Sequence, residues 1–377
     1  MIEDIATEFI VEPGKDQRFW VVRCERGLFF DHFLKYGVVG IGHLDHLVQK
    51  SCPSMELDTE YGVLYSRAES SFVEPNYKSA QRRAALSQIR TFIEEMAPGD
   101  LVMTARSGEL MVGRILSHPE IDHSTLEVQY DVGKPHARMV PMRMFLRRRV
   151  EWGPRILRRE FPFNLRKALG AHLTVFSIDD YWRELYHLLY PVFRKGSQLY
   201  FGLGINQQGG IQNLHIYPLF AFLTDVEALA RTADGANIAA GQNVDLLVDK
   251  LDRQNRLNLE TKAQFMSPGE IWGALSGLDL KHMGYFYLIY SAVFGSTKLG
   301  WTGFVDPKAV GREAAKVVDL AKAQWKLRHG EKVADKLKLN PPMTETRALR
   351  DASNDEPSRT EAKIVGKKRA KASKAGS

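Results

Sequence analysis

The chain has 377 residues, of which 44% are hydrophobic and 26% are charged, a composition typical of a soluble globular protein with about two domains. Two cysteines are too few for a disulfide framework or a cysteine-rich zinc site, and we expect no metal and no cofactor. The most apolar stretch, residues 283–297, is shorter than the roughly 20 residues that a membrane-spanning helix needs. We therefore expect a cytoplasmic protein without a secretion signal or membrane contact.

The formal net charge of +7 is concentrated in two segments. Residues 143–167 contain nine Lys or Arg against two Glu, and residues 361–377 contain six against one. Clustered positive charge is typical of a protein that contacts a polyanion such as nucleic acid. A solvated surface with a solubilising tail is the alternative interpretation.

A first domain is predicted over residues 18–180, after a polar leader at 1–17. Apolar residues at helical spacing predict a helix from about Ser79 to Met96, which Pro98 and Gly99 end. Many short strands with two or three helices predict an α+β fold, a small curved β-barrel with helices on its rim. A short helix is predicted at 28–37, and a short helix followed by a strand at 165–178. The predicted strands are 19–24, 38–42, 101–103, 110–112 and 125–132, with another strand within 136–152.

A second α+β domain of unassigned function is predicted over residues 181–335. Asp306 and Pro307 are typical of the start of a helix that extends to 327. Residues 336–377 are poor in large apolar side chains and are predicted to be a disordered basic tail. The remaining predicted elements of this domain are helices at 181–193, 217–230 and 243–254 and a strand at 257–265.

The order of short motifs in the first domain resembles that of a known family. The series FWVVR, FFDHFL, VVGIG, ALSQIRTF, GDLVM, MVGRI, VEW and LGAHLTVFSI is similar to the PUA-like reader domain of the EVE and YTH type. The likeness extends over about residues 18–180, and it is greatest to the version at the N-terminus of modification-dependent restriction systems. It implies a PUA-like barrel that reads a modified or unusual base extruded from nucleic acid, in an anti-phage defence context.

The base pocket that this resemblance implies requires aromatic surfaces and groups that can read a base edge. Relatives usually carry an aromatic residue directly after the Ile-Gly pair, where this chain has His43. Trp20 is alternatively a core tryptophan, Gln88 is alternatively a surface or capping amide, and Arg23 and Arg106 are alternatively members of surface ion pairs. The candidate pocket residues are Trp20, Arg23, His43, Gln88, Arg106 and Trp152.

The basic run of residues 142–160 is the strongest physical indication of a polyanion contact. Three consecutive arginines alternate in direction if the segment is extended, so at least two of them share a face or the rim. Such arginines would bind phosphates independently of base sequence and in a salt-dependent way. The candidate phosphate contacts are Arg147, Arg148, Arg149, Arg155, Arg158 and Arg159.

An enzyme is the competing class of function. Glu260 and Lys262 form an E-x-K on a predicted strand, and Asp245 or Asp249 precedes it. Two carboxylates with a lysine are the minimal pattern of a metal-dependent nuclease, which would use a divalent ion. However, both aspartates fall in a helix-like run and not at the end of a strand beside Glu260. We therefore do not assign a catalytic role to these four residues.

The sequence thus predicts a cytoplasmic two-domain protein that binds DNA or RNA around an extruded base. A nuclease directed by the reader and a protein-interaction module remain alternatives. The aromatic-rich segment 283–297 makes a homo-oligomer plausible. The choice between DNA and RNA, and the base that is read, stay open at this point.

Overall fold

The computed structural model describes residues 2–45, 70, 79–130, 138–157, 161–170, 173–233, 242–264, 269–295 and 305–341. The chain divides into two compact units, and each has its own hydrophobic core. The first unit contains residues 14–182, and the second combines residues 1–13 with residues 183–345. Both units are mixed α+β structures, as the sequence predicts at that coarse level.

A curled, half-barrel sheet forms the frame of the unit 14–182. Its strand order is β2-β8-β4-β3-β1-β9, with β5 paired to β8. Strands β1 and β3 are parallel, and the other pairs are antiparallel. A separate hairpin pairs β6 with β7. The strands are β1 (Phe19–Val22), β2 (Val38–Ile41), β3 (Leu101–Ala105), β4 (Glu109–Ile115), β5 (Glu120–Ile121), β6 (Leu126–Tyr130), β7 (Arg138–Met142), β8 (Leu146–Leu157) and β9 (Val175–Ser177).

The helices with described bounds beside this sheet include α2 (Phe30–Tyr36), α3 (Ser79–Arg90) and α4 (Phe163–Ala168), and a short 3₁₀ helix spans Asp179–Tyr181. Helix α3 is followed by one wider π turn, Thr91–Glu95, before the chain enters β3. Its apolar residues Leu86, Ile89 and Phe92 are buried because they lie on the face toward the sheet. Gly37 ends α2 with a φ of 61°, a left-handed conformation that glycine adopts without strain.

The second unit begins with helix α1, Ile2–Phe9, where the sequence predicts a polar leader. That prediction is wrong because Ile5, Ala6 and Ile10 are buried in the core formed with residues 183–345. The predicted helix at 181–193 is also too long. Helix α5 ends at Leu189, and residues Val192–Lys195 form a strand, β10.

The sheet of the second unit has the order β10-β11-β13-β12, with β14 also paired to β11. One face carries Phe201, Leu203 and Ile271, which are buried in the core against the long helices. The strands after β10 are β11 (Gln198–Ile205), β12 (Glu260–Gln264), β13 (Gly269–Leu275) and β14 (Leu339–Asn340). The helices are α5 (Trp182–Leu189), α6 (Asn213–Thr232), α7 (Val244–Arg253), α8 (Leu280–Phe294), α9 (Pro307–Val310), α10 (Arg312–Leu327) and α11 (Gly330–Leu337).

Two sequence predictions for this unit are modified near its end. Asp306 caps a helix as expected, but that helix stops at Gly311, and α10 starts anew at Arg312. Strand β14 pairs with β11, so the region predicted as a disordered tail from residue 336 is ordered up to 341. Residues 342–377 lie outside the described part of the chain. Within the described part, no helix is long and apolar enough to cross a membrane.

Candidate functional site

Strand β2 ends in a short turn that carries two polar side chains, His43 and Asp45. Both are partly buried, and the Oδ1 of Asp45 accepts a hydrogen bond of 3.1 Å from the backbone N–H of Phe145. That contact ties the turn to the connection between β7 and β8. The turn therefore presents an imidazole and a carboxylate on a fixed backbone.

The electrostatic environment of these two groups favours neutral or weakly charged forms. Burial lowers the pKa of His43, so its imidazole is neutral at pH 7. Burial raises the pKa of Asp45 to about 6, and the charge of Glu25 adds to that rise. The N–H of Phe145 and the charge of Arg147 oppose it. Titratable groups with shifted pKa values beside a neutral aromatic ring are typical of functional sites.

Residues of two connections act on Asp45, and each connection also carries an exposed cation. Glu25 acts on Asp45 from the connection after β1, where Glu25 and Arg26 adopt positive φ values of 47° and 55°. Such values are uncommon outside glycine, and they fix the direction of this connection. Arg143 is exposed in the β7–β8 connection, two residues before Phe145. We call the set His43, Asp45, Glu25, Arg26, Arg143 and Phe145 the β2 turn site.

Trp20 does not belong to this site, although the sequence proposes it for the base pocket. Its ring is buried at 1% exposure, and its Nε1 donates a hydrogen bond of 2.8 Å to Asp100. The guanidinium of Arg18 lies 4.1 Å from its ring centroid. The proposed pocket role is wrong for this side chain, which holds the start of β1 to the start of β3.

Gln88 is likewise a structural residue. Its Oε1 accepts hydrogen bonds from the backbone N–H groups of Thr174 and Val175, and its Nε2 donates to the carbonyl of Ala84. The amide thus fixes the beginning of β9 on helix α3. Because both ends of the amide are used within the protein, the prediction that it reads a base is wrong.

The other three pocket candidates also make defined contacts within the unit. Trp152 is partly buried and donates from Nε1 to the carbonyl of Phe33 at 2.8 Å. Arg23 donates from Nη2 to the carbonyl of Leu169. Arg106 forms ion pairs with Asp31 at 2.9 Å and Glu109 at 2.8 Å. Of the six predicted pocket residues, only His43 lies in the β2 turn site.

Arg147 and Arg148 are buried at 1% and 0% exposure, so the prediction that they contact phosphate is wrong. Arg147 donates to the carbonyl of Met144 and to Asp122. Arg148 binds carbonyls at the end of the π turn and in the β4–β5 connection, at 2.8–3.1 Å. It satisfies the acceptors that a helix leaves unpaired at its C-terminus, namely the carbonyls of Phe92, Ile93 and Met96 as well as that of Ser117. Burial lowers the pKa of Arg148 to about 9, and Asp100 partly opposes this.

The remaining predicted phosphate contacts differ in exposure and partners. Arg149 is exposed, although strand alternation places it on the same face as the buried Arg147. Arg155 is 45% exposed, and it lies 3.3 Å from Asp31 and 3.9 Å from Glu109. These carboxylates neutralise part of its charge. Arg158 and Arg159 lie outside the described residues.

The four residues of the nuclease hypothesis lie on α7 and β12. Asp245 pairs with Arg328 at 2.7 Å, and the Nζ of Lys262 lies 5.9 Å from the ring centroid of Trp272. Asp249 and Glu260 are exposed. In the described part of the chain, no group of three or more His, Cys, Asp or Glu side chains is placed to hold a metal ion.

Asp45, Arg26 and Arg143 are site residues that sequence reasoning did not identify. A carboxylate two residues after His43 was the one available signal for Asp45, because a polar residue directly after a buried strand lies at the end of the sheet.

The comparisons with family models, with curated proteins and with solved structures find no match to this chain.

Proposed function

We propose that the unit 14–182 binds nucleic acid and reads an extruded base, including modified bases, at the β2 turn site. The observation that carries the proposal is the occurrence of a neutral, partly buried imidazole and a partly buried carboxylate two residues apart at the end of β2, where Asp45 is bonded to Phe145. The likeness of the motif series to PUA-like readers supports the same function and a restriction-type defence role in the cytoplasm.

The chemistry of the two side chains suggests what they would recognise. A neutral imidazole stacks on a base without repelling or attracting the backbone charge. The carboxylate of Asp45 is ionised above its pKa of about 6 and accepts hydrogen bonds from an exocyclic amino group. We therefore propose that the site prefers cytosine or adenine, with or without a modification, to thymine or uracil.

Cations near the turn would supply the affinity for the backbone. Arg26 and Arg143 are exposed on the connections that contain Glu25 and Phe145, and Arg149 is exposed on β8. Contacts of this kind add salt-dependent affinity that is independent of the base. They replace the buried Arg147 and Arg148 in the role that the sequence suggests for the basic run.

Base extrusion is directly measurable with 2-aminopurine, whose fluorescence rises when the base leaves the stack. The full chain is titrated into a duplex that carries 2-aminopurine at one position, alongside the variants His43→Ala and His118→Ala. His118 is an exposed histidine of the same unit and serves as the matched control. We expect a fluorescence rise with the wild type and with His118→Ala, and a smaller rise with His43→Ala. Binding without a fluorescence rise in any variant would leave phosphate contact alone and refute base extrusion.

A further inference from the structure

In the second unit, an aromatic cluster lies between helix α5 and the face of the sheet that points away from the core. Its centre is His187, whose ring stacks on that of Trp272 with centroids 4.4 Å apart and an interplanar angle of 4°. The ring of Phe193 packs edge-on to His187 at 4.8 Å and stacks on Tyr200 at 5.0 Å. His187 and Tyr200 are buried, whereas Trp272 is partly exposed. The cluster therefore presents one aromatic ring at its margin.

Two exposed cations flank this cluster. The guanidinium of Arg183 lies 5.3 Å from the ring centroid of Tyr200, and the Nζ of Lys262 lies 5.9 Å from that of Trp272. Arg183 is one helical turn before His187, and Lys262 is the cross-strand partner of Trp272. Aromatic faces attract cations, so these contacts hold both side chains close to the cluster.

Two positive charges act on His187. Burial and the charges of Arg183 and Lys262 lower the pKa of His187 well below its usual value. The Nδ1 of His187 is buried without a hydrogen-bond partner among the described residues. The acidic residues on the same elements are Glu184, Glu260 and Glu270, but none of them contributes to the shift of His187. Two cations beside a buried, unpaired imidazole create a local field that favours an anion.

From the positions of the two cations on neighbouring rings of one aromatic cluster, we propose that Arg183, Lys262 and Trp272 form a second binding site, for a phosphate group carried by a nucleotide. Arg183 and Lys262 bind the phosphate oxygens through charge-assisted hydrogen bonds. The partly exposed ring of Trp272 provides a stacking surface for the base. His187 stacks on this ring and is itself packed against Phe193, so it holds the indole in place. The nucleotide is either free or part of a single strand, because both present the same phosphate and base. This site is separate from the β2 turn site and does not depend on the function proposed there.

The probe for this site is adenosine 5′-monophosphate, titrated calorimetrically into the full chain in the His43→Ala background, with adenosine and inorganic phosphate in parallel. This background removes the stacking imidazole of the β2 turn site, so that failure of one proposal leaves the other testable. We expect the monophosphate to bind more tightly than either of its parts. Loss of one charge-assisted contact in Lys262→Gln or Arg183→Gln reduces the affinity about tenfold. Lys250→Gln replaces an exposed lysine on helix α7. It is the matched control and leaves the affinity unchanged.

Two further arms complete the test. Quenching of tryptophan fluorescence by the monophosphate is expected in the same background and is expected to disappear in Trp272→Phe, which keeps an aromatic ring. A short oligodeoxyadenylate that binds more tightly than the monophosphate identifies a strand as the ligand, and the reverse order identifies a free nucleotide. Absence of binding by both probes, or equal binding in Lys262→Gln, Arg183→Gln and Lys250→Gln, overturns the proposal.

Discussion

The indole Nε1 of Trp20 donates a hydrogen bond of 2.8 Å to Oδ2 of Asp100, and both side chains are buried. Asp100 also accepts from the backbone N–H groups of Arg18 and Ala97. The carboxylate thus connects the beginnings of the parallel strands β1 and β3 at the turn that follows the helix. This explains why a charged residue occurs at the entry to a buried strand: its oxygens satisfy three donors that would otherwise be unpaired.

Replacing Trp20 with Phe should destabilise the protein without changing nucleic-acid binding. Asp100 then loses one of three donors while it remains buried, which costs about 2 kcal/mol. Urea unfolding followed by circular dichroism measures the stability, and fluorescence anisotropy with an oligonucleotide measures the binding. A variant as stable as the wild type but weaker in binding would return Trp20 to the base pocket.

Two neighbouring arginines on β8 should respond oppositely to the same substitution. Arg148→Leu removes the donor from the carbonyls at the end of the π turn and leaves Asp100 without its nearby charge. It should cost about 3–5 kcal/mol of the free energy of unfolding. Arg149→Leu changes an exposed side chain and should alter the stability by less than about 0.5 kcal/mol.

The same pair separates structural from functional arginines in binding. When the variant and the wild type are compared at equal concentrations of folded protein, Arg149→Leu should weaken oligonucleotide binding because it removes an exposed charge. Equal stability losses for Arg148→Leu and Arg149→Leu would contradict the burial that distinguishes them.

Asp45 should make the stability depend on pH between about 4 and 6. Its pKa is about 6 in the folded protein against an ordinary value of 3.8, so the folded state retains a proton that the unfolded state has lost. The free energy of unfolding contributed by this residue therefore falls as the pH rises through that window and is constant above it.

Asp45→Asn removes this contribution. The free energy of unfolding of the variant minus that of the wild type should therefore rise by about 1–2 kcal/mol from pH 4 to pH 7, after allowance for partial exposure. Denaturation midpoints of both proteins at pH 4, 5, 6 and 7 give the comparison. A difference that does not vary with pH would show that the pKa of Asp45 is not raised. In oligonucleotide binding, Asp45→Asn should reduce the preference for amino-bearing bases because an amide has one acceptor oxygen in place of two.

The exposed arginines of the β2 turn site should set the salt dependence of binding. Each of Arg26→Gln and Arg143→Gln should reduce the slope of log affinity against log salt by about 1, with little change in base preference. Arg253→Gln, an exposed arginine on α7 of the other unit, is the control and should leave the slope unchanged. A changed base preference in Arg143→Gln would assign this residue to base readout instead.

The sequence predicted the regular elements better than the roles of individual side chains. Periodic apolar residues located α3, and the Asp-Pro pair located the start of α9, because both patterns are local. Helix α1 was missed because its burial depends on helix α8, where Tyr287 stacks on Phe9 and the backbone at Gly284 lies against Ile2, about 280 positions away. The same limit applies to Arg147 and Arg148, whose charge suggested solvent while carbonyl groups distant in the sequence enclose them.

His43 was identified through the motif order of the first domain, whereas Asp45 was not. Its distinguishing property is a contact with Phe145, which lies 100 residues further along the chain and is not visible in the local pattern. Polar residues that serve a fold and polar residues that serve a site have the same sequence signature. Only their burial and their partners separate Gln88 from His43.

Fluorescence anisotropy of the full chain with matched DNA and RNA oligonucleotides tests whether the protein reads a base. Each carries unmodified or modified cytosine or adenine, or thymine or uracil as reference, at two salt concentrations. We expect tighter binding to amino-bearing bases, a further preference for one modification, and loss of both preferences in His43→Ala but not in His118→Ala. Equal binding of all oligonucleotides with a steep salt dependence would contradict base reading and leave phosphate contact alone, and absence of binding would favour a protein partner.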